Sequence, residues 1–247
     1  MTSGSGETRW SKIGGISGEE YAARFEALAA AGQDPHGEAS FCAALLPKGG
    51  ARVLDAGCGT GRVAVRLDEL GFDCVGTDVD ESMLAVARRS APQVPWHRAD
   101  LARLSAADLD GARGFDLVVM AGNVVPLLAE GTVTSAVRSL ANLLRAGPGG
   151  LVVAGFGLDT THLPPRCPVT PVEEYDAACV AAGLSLRKRY SSWDGAPFDA
   201  AAGYAVSVHE SREPDQRFPA SFTHSVAQGS ASSRPSPIGR PHTSQSP

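Results

Sequence analysis

Three alternating glycines follow a short apolar run, and one carboxylate stands inside that run. Residues 53–61 are VLDAGCGTG, with the carboxylate at Asp55. Glycine lets the main chain take positive φ and lets a ligand approach it closely. The free N–H groups at the start of a helix favour an anionic group. The pattern therefore predicts a strand, a turn and a helix that together hold a nucleotide-like ligand.

Two further carboxylates follow at intervals of about 20 residues, Asp78 after Gly59 and Asp100 after Asp78. Residues 59–64, GTGRVA, also satisfy the dinucleotide fingerprint, in which such a carboxylate binds a ribose. Asp55 argues for a different ligand, because a dinucleotide strand is normally apolar at this point and a buried carboxylate is costly unless it is bonded. The spacing alone leaves the ligand open.

The elements around these residues alternate between strand and helix. A strand begins at Ala51, and the helix after the glycines carries an apolar stripe that stops at Gly71. The next strand ends near Asp78, and Asp80 can cap a second apolar helix. This alternation predicts a parallel sheet with helices on both faces, the doubly wound α/β architecture. Such folds bind ligands at the carboxyl ends of their strands, which is where the carboxylates stand.

The composition divides the chain into four parts. Residues 1–15 are rich in glycine and serine and are expected to be flexible. Residues 16–50 are expected to form a helical cap over the ligand-binding edge of the sheet, opening with a capping box at Ser17 and Glu20. Residues 51–210 form the α/β domain. Residues 211–247, rich in Ser, Pro and Gln, are expected to form a disordered tail.

Along residues 50–210 the sequence resembles the class I S-adenosylmethionine-dependent methyltransferases, with the matching features in the family's order. The acidic glycine loop matches the segment that contacts the methionine part of the cofactor, and Asp78 matches the acidic residue that binds the ribose hydroxyls. Asp100-Leu101 matches the pair beside the adenine. Residues 115–120, FDLVVM, resemble the fourth strand, and residues 143–150, LLRAGPGG, resemble the helix end and turn before the fifth.

The resemblance implies a Rossmann-like fold with a mostly parallel, seven-stranded sheet. Residues 184–190 and 204–209 would then form an antiparallel hairpin at one sheet edge. The resemblance also implies S-adenosylmethionine as the cofactor. The residues expected to bind it are Asp55, Gly57, Cys58, Gly59, Gly61, Asp78, Val79, Asp100, Leu101 and Ala121.

Methyl transfer mainly requires that a nucleophile be aligned with the activated methyl group, so a catalytic base is optional. A phenol, hydroxyl or carboxylate acceptor is helped by a group that removes its proton. The candidate catalytic residues are Asn123 after the fourth strand, His162 in the loop 157–169, and His36 between the two N-terminal helices. The structural alternatives are that the amide of Asn123 shapes its loop and that the two imidazoles are surface groups without a catalytic role. Tyr21 is expected to pack rather than to contact a ligand.

The composition argues against several classes of protein. A net charge of −5 disfavours a surface that binds nucleic-acid backbones. The five cysteines form no C-x-x-C pair and no His/Cys metal spacing, so no metal is expected, and a reducing cytosol fits better than a disulfide framework. No apolar run approaches the roughly 18 residues that span a bilayer. The chain is therefore expected to be soluble and cytoplasmic, with no membrane partner.

Three functions remain open. The favoured one is in-line transfer of a methyl group to O, N or C of a small molecule. The second is a methyltransferase acting on nucleic acid or protein, although residues 122–126 are GNVVP in place of the Asn/Asp-Pro-Pro-aromatic tetrad of base methylation. The third is a nicotinamide-dependent oxidoreductase or a non-catalytic nucleotide-binding module. The lack of a Tyr-x-x-x-Lys pair argues against the oxidoreductase. The sequence leaves the acceptor and the oligomeric state open.

Overall fold

The computed structural model describes residues 7–13, 16–47 and 49–212. Its strands in this part of the chain form one sheet with the order β3-β2-β1-β4-β5-β7-β6. Strand β7 runs antiparallel to β5 and β6, whereas the pairs among β1 to β5 are parallel. The predicted seven-stranded sheet with an antiparallel edge hairpin is confirmed. The strands are β1 (Arg52–Ala56), β2 (Asp73–Asp78), β3 (Trp96–Arg98), β4 (Leu117–Met120), β5 (Leu151–Gly157), β6 (Leu184–Tyr190) and β7 (Tyr204–Ser211).

Helices cover both faces of the sheet, because successive side chains of a strand point to opposite sides. Val53 joins a buried cluster with α3, α4 and α5, and its neighbour Leu54 joins a second cluster with α7 and α8. Both residues are fully buried. The helices are α1 (Arg9–Ile13), α2 (Gly18–Ala30), α3 (Gly37–Leu45), α4 (Arg62–Glu69), α5 (Glu81–Ser90), α6 (Val124–Leu127), α7 (Val133–Ala141) and α8 (Val172–Ala181).

The capping box predicted at the start of α2 is present. The amide of Ser17 donates to Glu20 Oε2 at 2.9 Å, and the amide of Glu20 donates to Ser17 Oγ at 3.3 Å. The helix then packs along α5, where the amide of Gly18 donates to Ser82 Oγ at 3.2 Å. These contacts place α2 beside the start of α5, which follows the carboxyl end of β2.

Helix α1 lies inside the segment that the sequence analysis expects to be flexible. Its Trp10 Nε1 donates to Asp80 Oδ2 at 2.8 Å, and its Arg9 guanidinium donates to the carbonyl of Pro126 at 3.3 Å. A third bond joins Arg166 to the carbonyl of Ile13 at 2.7 Å. These long-range bonds hold a five-residue helix whose local sequence gives little helical signal.

The structure refines one predicted boundary. Strand β7 continues to Ser211, whose hydroxyl accepts from the amide of Gly150 at 2.9 Å. The tail predicted for residues 211–247 lies outside the described residues from position 213 onward.

Two absences hold for the part of the chain that the structure describes. None of its helices combines the length and apolar character that crossing a membrane requires. It also contains no group of three or more His, Cys, Asp or Glu side chains arranged to hold a metal ion.

Candidate active site

A cleft opens at the carboxyl ends of β1, β2 and β4, between the sheet and helices α1 and α2. It encloses about 870 Å³ of empty space, a figure that includes its open mouth. Every residue predicted to bind cofactor except Gly61 lines it. These lining residues are Asp55, Gly57, Cys58, Gly59, Asp78, Val79, Asp100, Leu101 and Ala121.

The glycine loop brings main chain to the cleft surface. Gly57 and Gly59 have φ of 76° and 53°, which residues with a side chain rarely adopt. A Cβ atom at Gly57 would lie 2.7 Å from Val124 Cγ2. Gly61 differs, because a Cβ there would meet the ring of Trp96 on the side away from the cleft. The structure therefore assigns Gly61 to the close packing of α4 rather than to the cleft wall.

Asp55 is buried, with 2% of its surface exposed, and lies at the base of the cleft. Its Oδ2 accepts from the amide of Ala64 in the first turn of α4 at 3.1 Å. Burial raises the pKa of Asp55 to about 7, against the lowering effect of that hydrogen bond. The carboxyl thus joins β1 to α4 and also lines the cleft, and its role in binding a ligand stays a prediction.

Asp78 at the end of β2 is bound to the loop in front of it. Its Oδ2 accepts from the amide of Gly59 at 2.8 Å, and its Oδ1 accepts from the amide of Asp80 at 2.9 Å. Burial raises the pKa of Asp78 above its ordinary value. Asp100 caps the short 3₁₀ turn after β3, accepting from the amide of Ala102 at 3.0 Å. The three carboxylates therefore reach one cleft from three neighbouring strands.

Two aromatic residues that the sequence did not mark as ligand contacts cover the cleft. Trp10 and Tyr21 both line it, although Tyr21 is predicted only to pack. The Tyr21 ring lies 3.9 Å from the Cβ position of Gly59, and its hydroxyl lies 3.8 Å from that of Gly122. The ring therefore spans the gap between the glycine loop and the end of β4. The other lining residues that the sequence did not indicate are Thr8, Arg62, Val63, Met83, Gly122, Val124, Leu127 and Leu128.

Arg62 carries the one positive charge among the residues that line this cleft. Its guanidinium donates to both carboxylate oxygens of Glu38, at 2.8 and 2.6 Å, and also to the carbonyl of Pro35. It lies over the ring of Phe25, 4.4 Å from the ring centre. Both partners of the ion pair are mostly buried. Arg62 is therefore neutralised within the protein, and it fixes α3 and α2 against α4.

The structure brings two of the predicted catalytic residues together beside the cleft rather than in its lining. Asn123 has φ of 69°, and its Nδ2 donates to the carbonyl of His162 at 3.0 Å. Its Oδ1 accepts from the amide of Gly157 at 2.7 Å. Both ends of the Asn123 amide are thus engaged in tying the loop after β5 to the end of β4.

His36, the third predicted catalytic residue, lies apart from the other two, at the start of α3. It is the N-cap residue of α3, and its amide donates to Asp34 Oδ1 at 2.8 Å. Its Nδ1 is buried and has no hydrogen-bond partner among the described residues. The structure does not bring His36 into the lining of the cleft or into contact with Asn123.

The chain is similar to known methyltransferases. A family model described as a methyltransferase domain matches residues 53–150. A TehB-like SAM-dependent methyltransferase from Corynebacterium glutamicum is 34% identical, with 80% of this chain and 98% of that chain covered and a TM-score of 0.67. The CcbJ methyltransferase from Streptomyces caelestis is 25% identical, with 72% and 94% covered and a TM-score of 0.58.

The curated relatives are matched over a shorter region. A demethylmenaquinone methyltransferase from Beutenbergia cavernae is 36% identical over 115 residues, which is 46% of this chain and 44% of that protein. The chain thus spans less than half the length of the first curated relatives that it matches. The full-length likeness to the Corynebacterium structure and the matched domain together decide the family. The chain belongs to the S-adenosylmethionine-dependent methyltransferases.

Proposed function

We propose that this chain transfers a methyl group from S-adenosylmethionine to O, N or C of a small molecule. The observation that carries the proposal is the convergence of Asp55, Asp78 and Asp100 on one cleft, around a glycine loop that presents main chain to it. Carboxylates accept hydrogen bonds and favour positive charge, so this set suits a ligand with hydroxyl and amine groups.

Each part of the cofactor has a matching part of the cleft. Asp78 suits the ribose hydroxyls, because a carboxylate at a strand end accepts from both. The apolar side chains of Leu101 and Met83 suit the flat adenine. Gly57, Gly59 and the buried Asp55 suit the charged amino acid end, since the glycines leave the main chain open and the carboxyl favours a cation.

When bound, S-adenosylmethionine supplies a methyl group on a positively charged sulfur, which needs little activation. The protein's contribution is alignment and exclusion of water, which can supply several kcal/mol of the barrier. Tyr21 and Trp10 cover the cleft, and Arg62 is already paired with Glu38. The acceptor would then lie beside Gly122, where the Tyr21 hydroxyl, at 3.8 Å, is the one atom of the described residues, chain neighbours aside, within 4 Å of the Cβ position.

The acceptor itself is proposed only as a class. Curated relatives are named for different acceptors, including demethylmenaquinone and, in Parasynechococcus marenigrum, glycine and sarcosine. These names share a small acceptor but not an acceptor atom. The net charge of −5 also favours a small molecule over a nucleic-acid backbone.

The test is a methylation screen with S-adenosylmethionine labelled in its methyl group and a metabolite extract. We expect label in the small-molecule fraction with the wild type and much less with Asp78→Asn. The matched control is Asp73→Asn, at the opposite end of the same strand in a solvent-exposed ion pair with Arg52. Label confined to precipitated protein or nucleic acid would refute the small-molecule acceptor, and tight binding of NADH would refute the proposed cofactor role of the carboxylates.

A further inference from the structure

The loop after β5 holds a histidine whose proton position can be deduced. Thr161 Oγ donates to Asp159 Oδ1 at 2.6 Å, which uses its single proton. His162 Nδ1 lies 2.9 Å from the same Oδ1 and 3.1 Å from Thr161 Oγ. Because both neighbours of Nδ1 can only accept, Nδ1 must carry the ring proton. The lone pair of His162 is therefore on Nε2.

The group that faces this imidazole is an ionised carboxylate. Hydrogen bonds from Thr161 and His162 lower the pKa of Asp159 to about 2. Strand β7 contributes Tyr204, whose ring centre lies 6.2 Å from that of His162. Burial raises the pKa of Tyr204 to about 12, so its phenol is neutral. Asp159 is thus the charge positioned to stabilise a protonated His162.

Three strand ends hold the pair in place. Asn123, at the end of β4, fixes the carbonyl of His162, and the amide of Gly157, at the end of β5, fixes Asn123 in turn. At the start of β7, a Cβ atom on Gly203 would overlap Asp159 Oδ2 and lie 2.7 Å from His162 Nδ1. Asp159 and His162 lie in the loop after β5, and contacts from three strand ends hold them there.

The Nε2 atom remains available. It makes no hydrogen bond within the described residues, and 42% of the imidazole surface is exposed. Asn123, which holds His162, directly follows Gly122 in the cleft lining. Tyr21, whose hydroxyl lies 3.8 Å from the Cβ position of Gly122, borders the same part of the cleft.

We propose that His162 is a catalytic base that removes a proton from the acceptor, with Asp159 and Asn123 as positioning residues. The acceptor is then one whose hydroxyl, phenol or ammonium must lose a proton before or during transfer. Its X–H bond breaks, the proton moves to Nε2, and the electron pair on X bonds the methyl group as the methyl–sulfur bond breaks. The proton leaves to water afterwards. This inference rests on the proposed function.

The first test needs no acceptor. The nitrogen chemical shifts of the His162 ring are measured by NMR in the full chain with S-adenosylhomocysteine bound, at about pH 8. We expect the Nδ1–H form, and we expect Asp159→Asn to shift the ring toward a mixture of both forms. His162→Gln assigns the signal. A dominant Nε2–H form in the wild type would overturn the proposal.

The second test is kinetic and uses the acceptor that the labelled screen identifies. His162→Ala should lower kcat by about 100-fold or more, the scale of general-base catalysis, with unchanged affinity for S-adenosylhomocysteine. Added imidazole should restore part of kcat, which a purely structural role would not allow. Asp159→Asn should lower kcat less, with KM little changed. The control is His97→Gln, a half-buried histidine on β3 outside the cleft lining.

The two proposals fail in different ways. If the wild type transfers label and His162→Ala stays within about twofold of it, the base role is wrong and the proposed function stands. If the wild type labels no fraction at all, the proposed function fails and the base role fails with it. Should His162→Ala not fold, Asp159→Asn and the NMR measurement decide in its place.

Discussion

One buried histidine should contribute a loss of stability in mild acid. His209 on β7 has 1% of its surface exposed and packs against the ring of Tyr175, 5.3 Å away. Its Nε2 lies 3.3 Å from Asp176 Oδ1, but that carboxylate is already paired with Arg189. Neither ring nitrogen has a hydrogen-bond partner among the described residues. A proton on this ring would therefore be poorly compensated.

The size of this loss of stability follows from the shift in the pKa of His209. Burial lowers the pKa of His209 from 6.5 to about 4, with the positive charge of Arg189 adding to it and Asp176 opposing it. The unfolded chain then binds a proton between those two values while the folded chain does not, so stability is fully present above about pH 6.5 and is lost as the pH falls toward 4. From about pH 7.5 to about pH 5 this group alone should remove about 2 kcal/mol of unfolding free energy.

The assay compares pH slopes rather than absolute stabilities, because other groups titrate over the same range. Asp55 acts in the opposite direction, since its raised pKa makes the folded state take up a proton as the pH falls. Urea unfolding is therefore measured at both pH values for the wild type, His209→Gln and the control His97→Gln. We expect the wild type and the control to lose about 2 kcal/mol more than His209→Gln on acidification. Equal losses in all three proteins would refute the reasoning.

Three further outcomes follow from contacts in and around the cleft. Asp78→Asn should weaken binding of S-adenosylhomocysteine by about 1.5–3 kcal/mol in calorimetry, the scale of a hydrogen bond to a charged group, and unchanged affinity would contradict the ribose assignment. Gly155→Ala should lower the free energy of unfolding by about 1–3 kcal/mol in urea, because the new Cβ would overlap the Trp193 ring; Gly37→Ala, which has room, is the control. Trp10→Phe removes the hydrogen bond to Asp80 and should weaken the binding of S-adenosylhomocysteine by about 1 kcal/mol. An unaltered dissociation rate of that ligand would show that α1 does not retain it.

The sequence predicts the features that depend on neighbouring residues. The capping box needs only Ser17 and Glu20, three positions apart, and both of its hydrogen bonds are present. The glycine loop and Asp78 lie at the ends of adjacent parallel strands, so strand order alone brings them together. For the same reason the sheet and the part of the cleft wall formed by the glycine loop and the carboxylates are predictable without coordinates.

The parts that could not be predicted depend on contacts between distant segments. Trp10 reaches Asp80 across 70 positions, and Asn123 reaches His162 across 39. No local pattern encodes these pairs, because they exist only once the sheet has brought separate loops to one edge. Gly61 shows the converse, because its place in a motif suggests a ligand contact whereas a Cβ atom there would meet the ring of Trp96, 35 positions further along the chain.

The buried carboxyl at the base of the cleft has a consequence for how binding heats are measured. Because burial raises the pKa of Asp55 to about 7, roughly half of the molecules carry a proton there near neutral pH. A ligand that places positive charge beside Asp55 favours the ionised form, so binding releases that proton to the buffer. The calorimetric enthalpy then includes the buffer's own heat of protonation, and phosphate and Tris will give different enthalpies for the same binding event.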